Sequence, residues 1–330
     1  MTTYKGINGF AVQSVATDPS PSDEGQVWYN NATYAFKLAS LSTVGTWAAG
    51  GNLNTARNSP GGSGTQTAGL AFAGSPNGTA NTAATESYNG SSWTNVNSMN
   101  TARRNISSAG SGTQTAALGF AGYPVAGTGT ASESWNGSSW TNTPSLNTGR
   151  QLAGGIGIQT AALVFGGYAT PGTTNATESW NGSSWTTLPA TMNTTRAGVS
   201  GAGLQTSGLA FGGTPPSPGF STATESWNGS TWTTVNSMNT ARTYLGGCGT
   251  QTLALAFGGA NPGPVTNTEL WNGTSWTSNP NSLSTSRALP GSAGTQAAAL
   301  AFGGGTPPVT AATEEFTGPG APVTQTITTS

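Results

Sequence analysis

The chain alternates short apolar runs with polar, glycine-rich segments, and this alternation repeats. A run ending in small residues, such as "SGLAFGG" at 207–213, is followed by a variable segment. A polar stretch with two aromatic positions comes next, such as "TESWNGSTWT" at 224–233. Neither stretch has the apolar spacing of an amphipathic helix, whereas short runs between turn residues are typical of β-strands. The pattern therefore predicts an all-β protein.

One unit of about 46 residues recurs six times along the chain, and five positions mark it. Arginines lie 46, 47, 46, 46 and 45 residues apart, at Arg57, Arg103, Arg150, Arg196, Arg242 and Arg287. A tryptophan precedes each arginine by ten or eleven residues, at Trp47, Trp93, Trp140, Trp185, Trp232 and Trp276. A glutamine follows each arginine, at Gln66, Gln114, Gln159, Gln205, Gln251 and Gln296. Later in each unit stands a glutamate, at Glu86, Glu133, Glu178, Glu225, Glu269 and Glu314, with an aromatic residue two positions further on.

Each unit contains four predicted strands, which we name a, b, c and d. In the fourth unit they are 197–203, 207–213, 223–228 and 231–236, with turn residues between them. Four antiparallel strands in about 40–50 residues match one blade of a β-propeller. We therefore predict a six-bladed β-propeller, with the glycines and alanines of strands a and b near its axis and the tryptophans of strands c and d further out.

The two ends of the repeat predict a closed ring. The segment around Trp47 has the composition of a strand d, but no strands a to c precede it. The last unit has strands a to c and then lacks a tryptophan strand. We expect the N-terminal strand to complete the last blade, because closure removes the free sheet edges of an open stack.

The segment "WNGSSW" predicts the c–d hairpin of each blade. Asn-Gly is a strong signal for a tight turn, because both central positions take positive φ at little cost. The flanking aromatic residues, such as Trp180 and Trp185, are expected to form a cross-strand pair. Such a pair contributes about 0.5–1.5 kcal/mol beyond its buried area.

Composition narrows the possible partners. Charged residues make up 6% of the 330, and the net charge is −1, so no electrostatic attraction to nucleic acid or anionic membrane is expected. No apolar run approaches the roughly 20 residues of a membrane helix, and the N-terminus lacks the apolar stretch of a signal peptide. We therefore expect neither nucleic-acid binding nor membrane insertion.

Twelve of the 19 charges belong to the repeat, as one arginine and one glutamate in each blade. Because strands alternate direction, both positions fall on one face of the ring, here called the b–c face, and the glutamine and Asn-Gly turns fall on the other. The residues could form buried Arg–carboxylate pairs that fasten loops, with each guanidinium fork gripping a carboxylate. Alternatively, the arginines could face the central channel and bind acidic ligands. We favour structural pairs, since every arginine has a glutamate.

The segments that differ between copies are the b–c loops, which project from the b–c face. They are 75–83, 123–131, 168–176, 214–222, 260–267 and 305–312. Three aromatic residues in them, Tyr123, Tyr168 and Phe220, are candidates for ligand binding. Function tends to lie on loops held by a rigid scaffold, and neutral hydroxyl-rich surfaces with aromatic residues suit glycans or another protein. Alternatively, the loops are solvated connectors without a ligand.

The units resemble the kelch repeat over residues 41–317. The resemblance lies in "LALAFGG", "TELWNGTSW" and "VNSMNTAR", which match its strands b, c and d and its inter-blade segment. The first two blades depart from it, with Ala73 and Ala121 where the other blades have the first glycine of a pair. The resemblance implies a kelch-type propeller, and kelch proteins bind ligands on the face that carries the inter-blade arginine.

Enzymatic activity is not expected. Galactose oxidase is a kelch propeller, but its copper site needs imidazole, and this chain has no histidine. The adjacent carboxylates Glu314 and Glu315 should point to opposite faces of their strand. The single cysteine, Cys248, is interpreted as a small buried residue. We predict no cofactor and no metal.

The segment at 18–37, "DPSPSDEGQVWYNNATYAFK", resembles short segments near the start of structural and tail-associated proteins of tailed bacteriophages. Trp28 and Tyr29 mark it. The resemblance implies that residues 1–40 form an attachment segment contacting other virion proteins, followed by the propeller at 41–317 and an extended tail at 318–330. It also implies a homo-oligomer on a virion, assembled in the host cytoplasm, that binds host glycan or a receptor.

A simple β-hairpin is the plainer interpretation of 18–37. A cellular surface or secreted lectin-like propeller is the alternative function, followed by a divergent enzyme.

Overall fold

The computed structural model describes residues 12–18, 26–41, 44–124, 128–305, 308–320 and 322–327. The chain forms two compact units, Thr46–Thr317 and a terminal unit drawn from Met1–Gly45 and Gly318–Ser330. Within the described ranges the one helical element is a short 3-10 turn at Thr128–Thr130. None of these residues forms a helix that is long and apolar enough to span a membrane.

The larger unit is a six-bladed β-propeller with four antiparallel strands in each blade, which confirms the predicted fold. Each blade is a four-stranded antiparallel sheet in which strands a to d pair in sequence. Blade 1 comprises Gly61–Gly64 (β5), Gly69–Phe72 (β6), Thr85–Tyr88 (β7) and Trp93–Val96 (β8). Blade 2 comprises Ser107–Ser108 (β9), Ala117–Phe120 (β10), Ser132–Trp135 (β11) and Trp140–Thr143 (β12). Blade 3 comprises Gly154–Ile158 (β13), Ala161–Phe165 (β14), Thr177–Trp180 (β17) and Trp185–Thr187 (β18), with a small hairpin, Tyr168–Ala169 (β15) and Gly172–Thr173 (β16), in its b–c loop.

The other three blades follow the same plan. Blade 4 comprises Ser200–Leu204 (β19), Ser207–Phe211 (β20), Thr224–Trp227 (β21) and Trp232–Val235 (β22). Blade 5 comprises Gly246–Gly249 (β23), Ala254–Phe257 (β24), Thr268–Trp271 (β25) and Trp276–Asn279 (β26). Blade 6 comprises Gly291–Gly294 (β27), Ala298–Phe302 (β28) and Thr313–Thr317 (β29), completed by Thr46–Gly50 (β4).

The ring closes as the sequence predicts. Strand β4 pairs antiparallel with β29, and Trp47 lies opposite Phe316 with their rings 5.0 Å apart. The Trp47 ring also contacts Phe257 of blade 5 at 5.1 Å, and its Nε1 donates to Thr268 Oγ1 at 2.9 Å. The N-terminal strand therefore completes blade 6 and packs against blade 5.

The core lies between neighbouring blades. At every seam the tryptophan that begins strand d packs edge-on against the phenylalanine that ends strand b of the preceding blade. The pairs are Trp93–Phe302, Trp140–Phe72, Trp185–Phe120, Trp232–Phe165, Trp276–Phe211 and Trp47–Phe257, with ring centroids 4.9–5.1 Å apart. Around the axis only small residues fit: a Cβ added to Gly62 would lie 2.1 Å from the carbonyl oxygen of Ser292 in blade 6.

The departure from Gly-Gly in the first two blades has a conformational consequence. Ala73 and Ala121 have φ of 60° and 62°, in the left-handed region where Gly212 of blade 4 has 69°. Glycine adopts this conformation without the steric cost that a Cβ imposes. The two alanines therefore hold a backbone conformation that the glycines of the other blades adopt freely.

The c–d hairpin differs in detail from the expected turn. Trp180 and Trp185 form the predicted cross-strand pair, with ring centroids 5.5 Å apart. Four residues, 181–184, connect them, and of these only Gly182 has a positive φ, 91°. The Asn181 side chain instead accepts hydrogen bonds from the backbone N–H groups of Ser183 and Ser184, both at 2.9 Å. The asparagine therefore acts as an Asx-turn acceptor rather than as a left-handed residue.

The terminal unit is one four-stranded sheet. Its strands are Gln13–Val15 (β1), Val27–Asn30 (β2), Ala35–Leu41 (β3) and Pro322–Thr326 (β30), in that spatial order. Strands β2 and β3 form the expected hairpin, and β1 lies parallel to β2. Strand β30 pairs with β3, so the described part of 318–330 belongs to the same sheet and is not a separate extended tail.

The aromatic residues of the terminal unit have different surroundings. Trp28 is fully buried and donates from Nε1 to Asp18 Oδ1 at 2.9 Å. Tyr29 is half-buried and its ring contacts Phe36. Tyr34, in the β2–β3 turn, is 81% exposed. Trp28 therefore supports the local fold, and Tyr34 is the most exposed of the described aromatic residues in this unit.

Candidate functional site

The six repeat arginines are buried ion-pair partners on the b–c face. Arg196 Nη2 donates to Glu225 Oε1 at 2.9 Å, and all twelve side chains are at most 3% exposed. The other pairs are Arg57–Glu86, Arg103–Glu133 (3.0 Å), Arg150–Glu178 (2.6 Å), Arg242–Glu269 (2.8 Å) and Arg287–Glu314 (2.5 Å). Burial lowers the pKa of Arg196, and the charge of Glu225 opposes that shift.

Each pair fastens two loops of its blade. Arg196 Nη1 donates to the carbonyls of Gly212 and Ala223, at the two ends of the b–c loop, at 2.6 Å each. Glu225 accepts from the backbone N–H of Asn193, in the segment before strand a, at 2.6 Å. One guanidinium nitrogen, Nη2, therefore donates to the carboxylate, and the other, Nη1, donates to the loop carbonyls. The expected bidentate pair with the carboxylate is not formed. Arginines held in this way are not available to an acidic ligand.

A cavity of about 120 Å³ occupies the b–c end of the central channel. Its walls are the first residues of strand a in all six blades and the residues just before them. Backbone groups and serine hydroxyls alternate there with apolar side chains such as Ile106 and Leu152, and none of the lining residues is charged. Polar backbone and hydroxyl groups make up more of the cavity surface than apolar groups do. Such a lining offers hydrogen bonds to a small neutral ligand.

The mouth of this cavity is a ring of left-handed residues. The second residue after each repeat arginine has positive φ: Ser59 (55°), Asn105 (53°), Leu152 (55°), Gly198 (64°), Tyr244 (57°) and Leu289 (55°). All six line the cavity. Backbone hydrogen bonds join neighbours around the ring, from Ser59 N to Leu289 O at 2.9 Å, for example, and from Leu289 N to Tyr244 O at 2.7 Å. Non-glycine residues in this conformation are strained, and such strain concentrates at ligand sites.

Two of the three predicted aromatic residues lie on the rim next to the cavity. Tyr123 and Tyr168 are 38% and 40% exposed. Each begins the b–c loop of its blade and pairs through its backbone with the residue after the repeat arginine, Arg104 for Tyr123 and Gln151 for Tyr168. The two tyrosines therefore occupy equivalent positions in neighbouring blades, 2 and 3.

Each tyrosine pairs through its backbone with the residue just before a cavity-lining residue: Arg104 precedes Asn105, and Gln151 precedes Leu152. The guanidinium carbon of Arg104 lies 4.1 Å from the centre of the Tyr123 ring, and Nη1 donates to Asn81 Oδ1 at 3.0 Å. Asn105, which lines the cavity, donates from Nδ2 to Gln151 Oε1 at 2.8 Å. The tyrosines, Arg104, Asn105 and Gln151 thus form one connected group, which we call the tyrosine rim.

Phe220 is not part of the rim. It is half-buried near the end of the blade 4 loop, whereas the position equivalent to Tyr123 is Thr214 in that blade. Residues 125–127 and 306–307 of two other predicted loops lie outside the described residues. Phe220 stays a prediction as a binding residue.

Sequence reasoning missed Arg104, Asn105 and Gln151 as members of a site. Arg104 is the one arginine outside the repeat positions, and this irregularity was the available signal. Reasoning from sequence also missed the glutamines, which join blades. Gln114 Nε2, for example, donates to the carbonyl of Tyr88 in blade 1 at 2.6 Å. Cys248 is buried, as expected, and burial raises its thiol pKa to about 12.

Comparison with known structures supports the fold. The structure titled "Structure of YjhT" matches with a TM-score of 0.65 and 13% identity, covering 79% of this chain and 95% of that chain. At this identity the match shows a shared β-propeller fold. No protein-family model matches the chain. No curated protein matches it.

Proposed function

We propose that the protein is a non-catalytic carbohydrate-binding module that attaches to glycans through the b–c face. The observation that carries the proposal is the tyrosine rim beside an uncharged cavity. An exposed tyrosine ring offers an apolar face to the C–H face of a sugar. The amides of Asn105 and Gln151 offer neutral donors and acceptors to its hydroxyl groups.

The rim is suited to binding because it is held in place before a ligand arrives. Arg104 stacks on Tyr123 and is itself bonded to Asn81 and to the carbonyl of Thr79, and the two loop ends of blade 2 are held by Arg103. Ordering loops and side chains on binding costs affinity, and a site ordered beforehand avoids much of that cost. Exposed aromatic residues on a rigid scaffold are therefore the part of this surface best suited to recognition.

A glycan array with the whole chain tests the proposal. We expect the wild type to bind a subset of glycans and the Tyr123→Ala/Tyr168→Ala double variant to bind them at least tenfold more weakly. Tyr34→Ala is the matched control, because Tyr34 is also an exposed tyrosine but lies in the terminal unit. Phe220→Ala, measured in parallel, tests the third aromatic residue. Wild-type binding to no glycan, or undiminished binding by the double variant, would contradict the proposal.

We further propose that the module is carried on a virion of a tailed bacteriophage, as a tail, fibre or head-surface component in several copies, with the terminal unit contacting other virion proteins. Residues 18–37 resemble segments of structural and tail-associated proteins of tailed bacteriophages, and this resemblance supports the location. The exposed Tyr34 is available for such a contact. Electron microscopy of purified particles labelled with antibody to this chain tests the idea. Label on intact cells and none on particles would favour the alternative, a cellular lectin-like propeller.

A further inference from the structure

Blade 2 differs from the other five blades in the length of its strand a segment. The repeat arginine and glutamine are 11 residues apart there, from Arg103 to Gln114, and 9 residues apart in every other blade. Regular pairing of strands a and b is limited to β9, Ser107–Ser108, whereas the other blades have four or five residues in strand a. The additional residues therefore leave the sheet between Ala109 and Thr113.

These residues cross the central channel. Ser111 N donates to Gly157 O of blade 3 at 2.9 Å, and Ser111 Oγ donates to Gly203 O of blade 4 at 2.9 Å. On the other side, Gly112 O accepts from Gly64 N of blade 1 at 3.0 Å. Blades 1 and 4 lie opposite each other in the ring, so Gly112 and Ser111 together span the channel.

The crossing narrows the channel at the face opposite the b–c face. Gly157 and Gly203 stand near the ends of their strands a, on the glutamine-turn side. The space left around Ser111 and Cys248 measures about 10 Å³, which is at the lower limit for a single water molecule. The cavity of about 120 Å³ above it is therefore a pocket with a floor, entered from the b–c face.

We propose that this pocket holds a single uncharged sugar residue at the end of a glycan chain, which deepens the proposed function and rests on it. An enclosed cavity of about 150 Å³ holds one benzene ring, so this open pocket of about 120 Å³ admits at most one six-membered sugar ring. A floor prevents an internal segment of a chain from passing through the channel. Only an end can enter, while the following residues lie on the tyrosine rim.

The lining residues restrict the chemistry of that sugar. An anionic residue such as a sialic acid would lose hydration in the pocket without gaining a counter-charge, because the lining contains no lysine or arginine and the repeat arginines are fully engaged with glutamates. Serine hydroxyls, backbone groups and the side chains of Asn105 and Tyr244 offer hydrogen bonds to neutral hydroxyl groups. The ligand class is therefore a neutral hexose or N-acetylhexosamine.

A side chain introduced at Gly110 would enter the pocket from its floor. It lines both the pocket and the small space below it, a Cβ added there meets no atom within 4 Å, and its φ is not in the left-handed region. Gly110→Ala and Gly110→Leu should therefore fold and progressively occupy the pocket. Gly263→Leu is the matched control, since a Cβ at Gly263 is equally unobstructed but lies in the blade 5 loop outside the pocket.

The experiment measures binding of free glucose, galactose, mannose, N-acetylglucosamine and N-acetylneuraminic acid by saturation-transfer NMR, with thermal unfolding of each variant as a folding check. We expect at least one neutral sugar to bind the wild type and Gly263→Leu. Gly110→Ala should bind it more weakly, and Gly110→Leu at least tenfold more weakly. N-acetylneuraminic acid should not bind.

Three outcomes would overturn the proposal: no neutral monosaccharide binds, Gly110→Leu binds as well as the wild type, or the acidic sugar binds as well as the neutral ones. The array separates this failure from failure of the proposed function. Array binding that depends on Tyr123 and Tyr168 but not on Gly110 would leave a glycan-binding rim and remove the pocket from the site. The same result would show that chain ends are not what the protein recognises.

Discussion

Tyr88 Oη in blade 1 donates a hydrogen bond of 2.6 Å to Glu315 Oε1 in blade 6. The same hydroxyl accepts from Gly51 N at 3.3 Å, just after the N-terminal strand β4. In blades 2 to 5 the equivalent position is a tryptophan whose Nε1 donates within its own blade, as Trp135 does to the carbonyl of Gln114 at 3.0 Å. The seam where the two ends of the ring meet therefore has a hydrogen bond that joins three segments of the chain.

Removing this hydroxyl should weaken ring closure. We expect Tyr88→Phe to lower the free energy of unfolding by about 1.5–3 kcal/mol, because a buried hydrogen bond to a carboxylate is lost and Glu315 keeps its charge. Urea unfolding followed by tryptophan fluorescence measures the effect. Tyr34→Phe is the control and should leave the free energy of unfolding unchanged. Equal stability of Tyr88→Phe and the wild type would show that the bond contributes nothing to closure.

Alkaline pH should remove the same contribution in the wild type. Burial, followed by the bond to Glu315, raises the pKa of Tyr88 from 10.0 to about 12. Folding therefore favours the protonated phenol, and its stabilisation is complete below pH 10 and lost as the pH rises towards 12. The stability difference between the wild type and Tyr88→Phe should shrink over that window. A difference that stays constant through it would contradict the assigned pKa.

The buried ion pairs should be costly to break on one side. Arg196→Met leaves Glu225 charged and unpaired, so we expect a loss of about 3–5 kcal/mol. In the Arg196→Met/Glu225→Gln double variant the uncompensated charge is gone, and the combined loss should be smaller than the sum of the single losses by about 1–3 kcal/mol. Chemical unfolding of the four proteins gives this double-mutant cycle. Strict additivity would mean that the pair is not energetically coupled.

Arg104→Met serves as the control for the ion-pair cycle. Arg104 is partly exposed and forms none of the six ion pairs, so the substitution should cost less than about 1 kcal/mol. A loss comparable to that of Arg196→Met would attribute the effect to removing any arginine from this face rather than to the buried pair.

One seam lacks a hydrogen bond that the other five have. Trp232 Nε1 donates to Thr177 Oγ1 of the preceding blade at 3.1 Å, and four other seams match it. At the seam between blades 2 and 3 the threonine is replaced by Ser132, and both its hydroxyl and Trp185 Nε1 are buried without a partner.

Ser132→Thr should therefore stabilise the protein by about 1 kcal/mol and raise Tm by about 2 °C, because the methyl group orients the hydroxyl towards the indole. The reverse substitution at an intact seam, Thr177→Ser, is the matched control and should destabilise by a similar amount. Differential scanning calorimetry measures both. A lower Tm for Ser132→Thr would show that blade 2 has no room for the methyl group at this seam.

The periodic residues made the fold predictable from sequence, while the irregular residues were harder to interpret. Trp185 and Phe120 recur at constant positions, so their role in packing follows from the repeat. Arg104 and Ser111 have no counterpart in the other blades. Their partners belong to other blades or other loops. The Asn-Gly turn was misjudged because asparagine stabilises a turn either through its backbone conformation or through its side chain, and sequence alone does not distinguish these two roles.

By itself the sequence determined the number of blades, the four strands of each and the closure by the strand around Trp47, and it favoured the pairing of each repeat arginine with a glutamate. These features follow from local turn chemistry and from a regular spacing of large and small residues. That spacing recurs in each of the six repeat units. Only the tertiary structure decided that Arg104 stacks on Tyr123, that Asn105 donates to Gln151 of the next blade and that Ser111 contacts Gly203 of blade 4. Those relationships join residues from separate blades or loops around a common axis, and their distances depend on how the blades pack rather than on the sequence of any one of them.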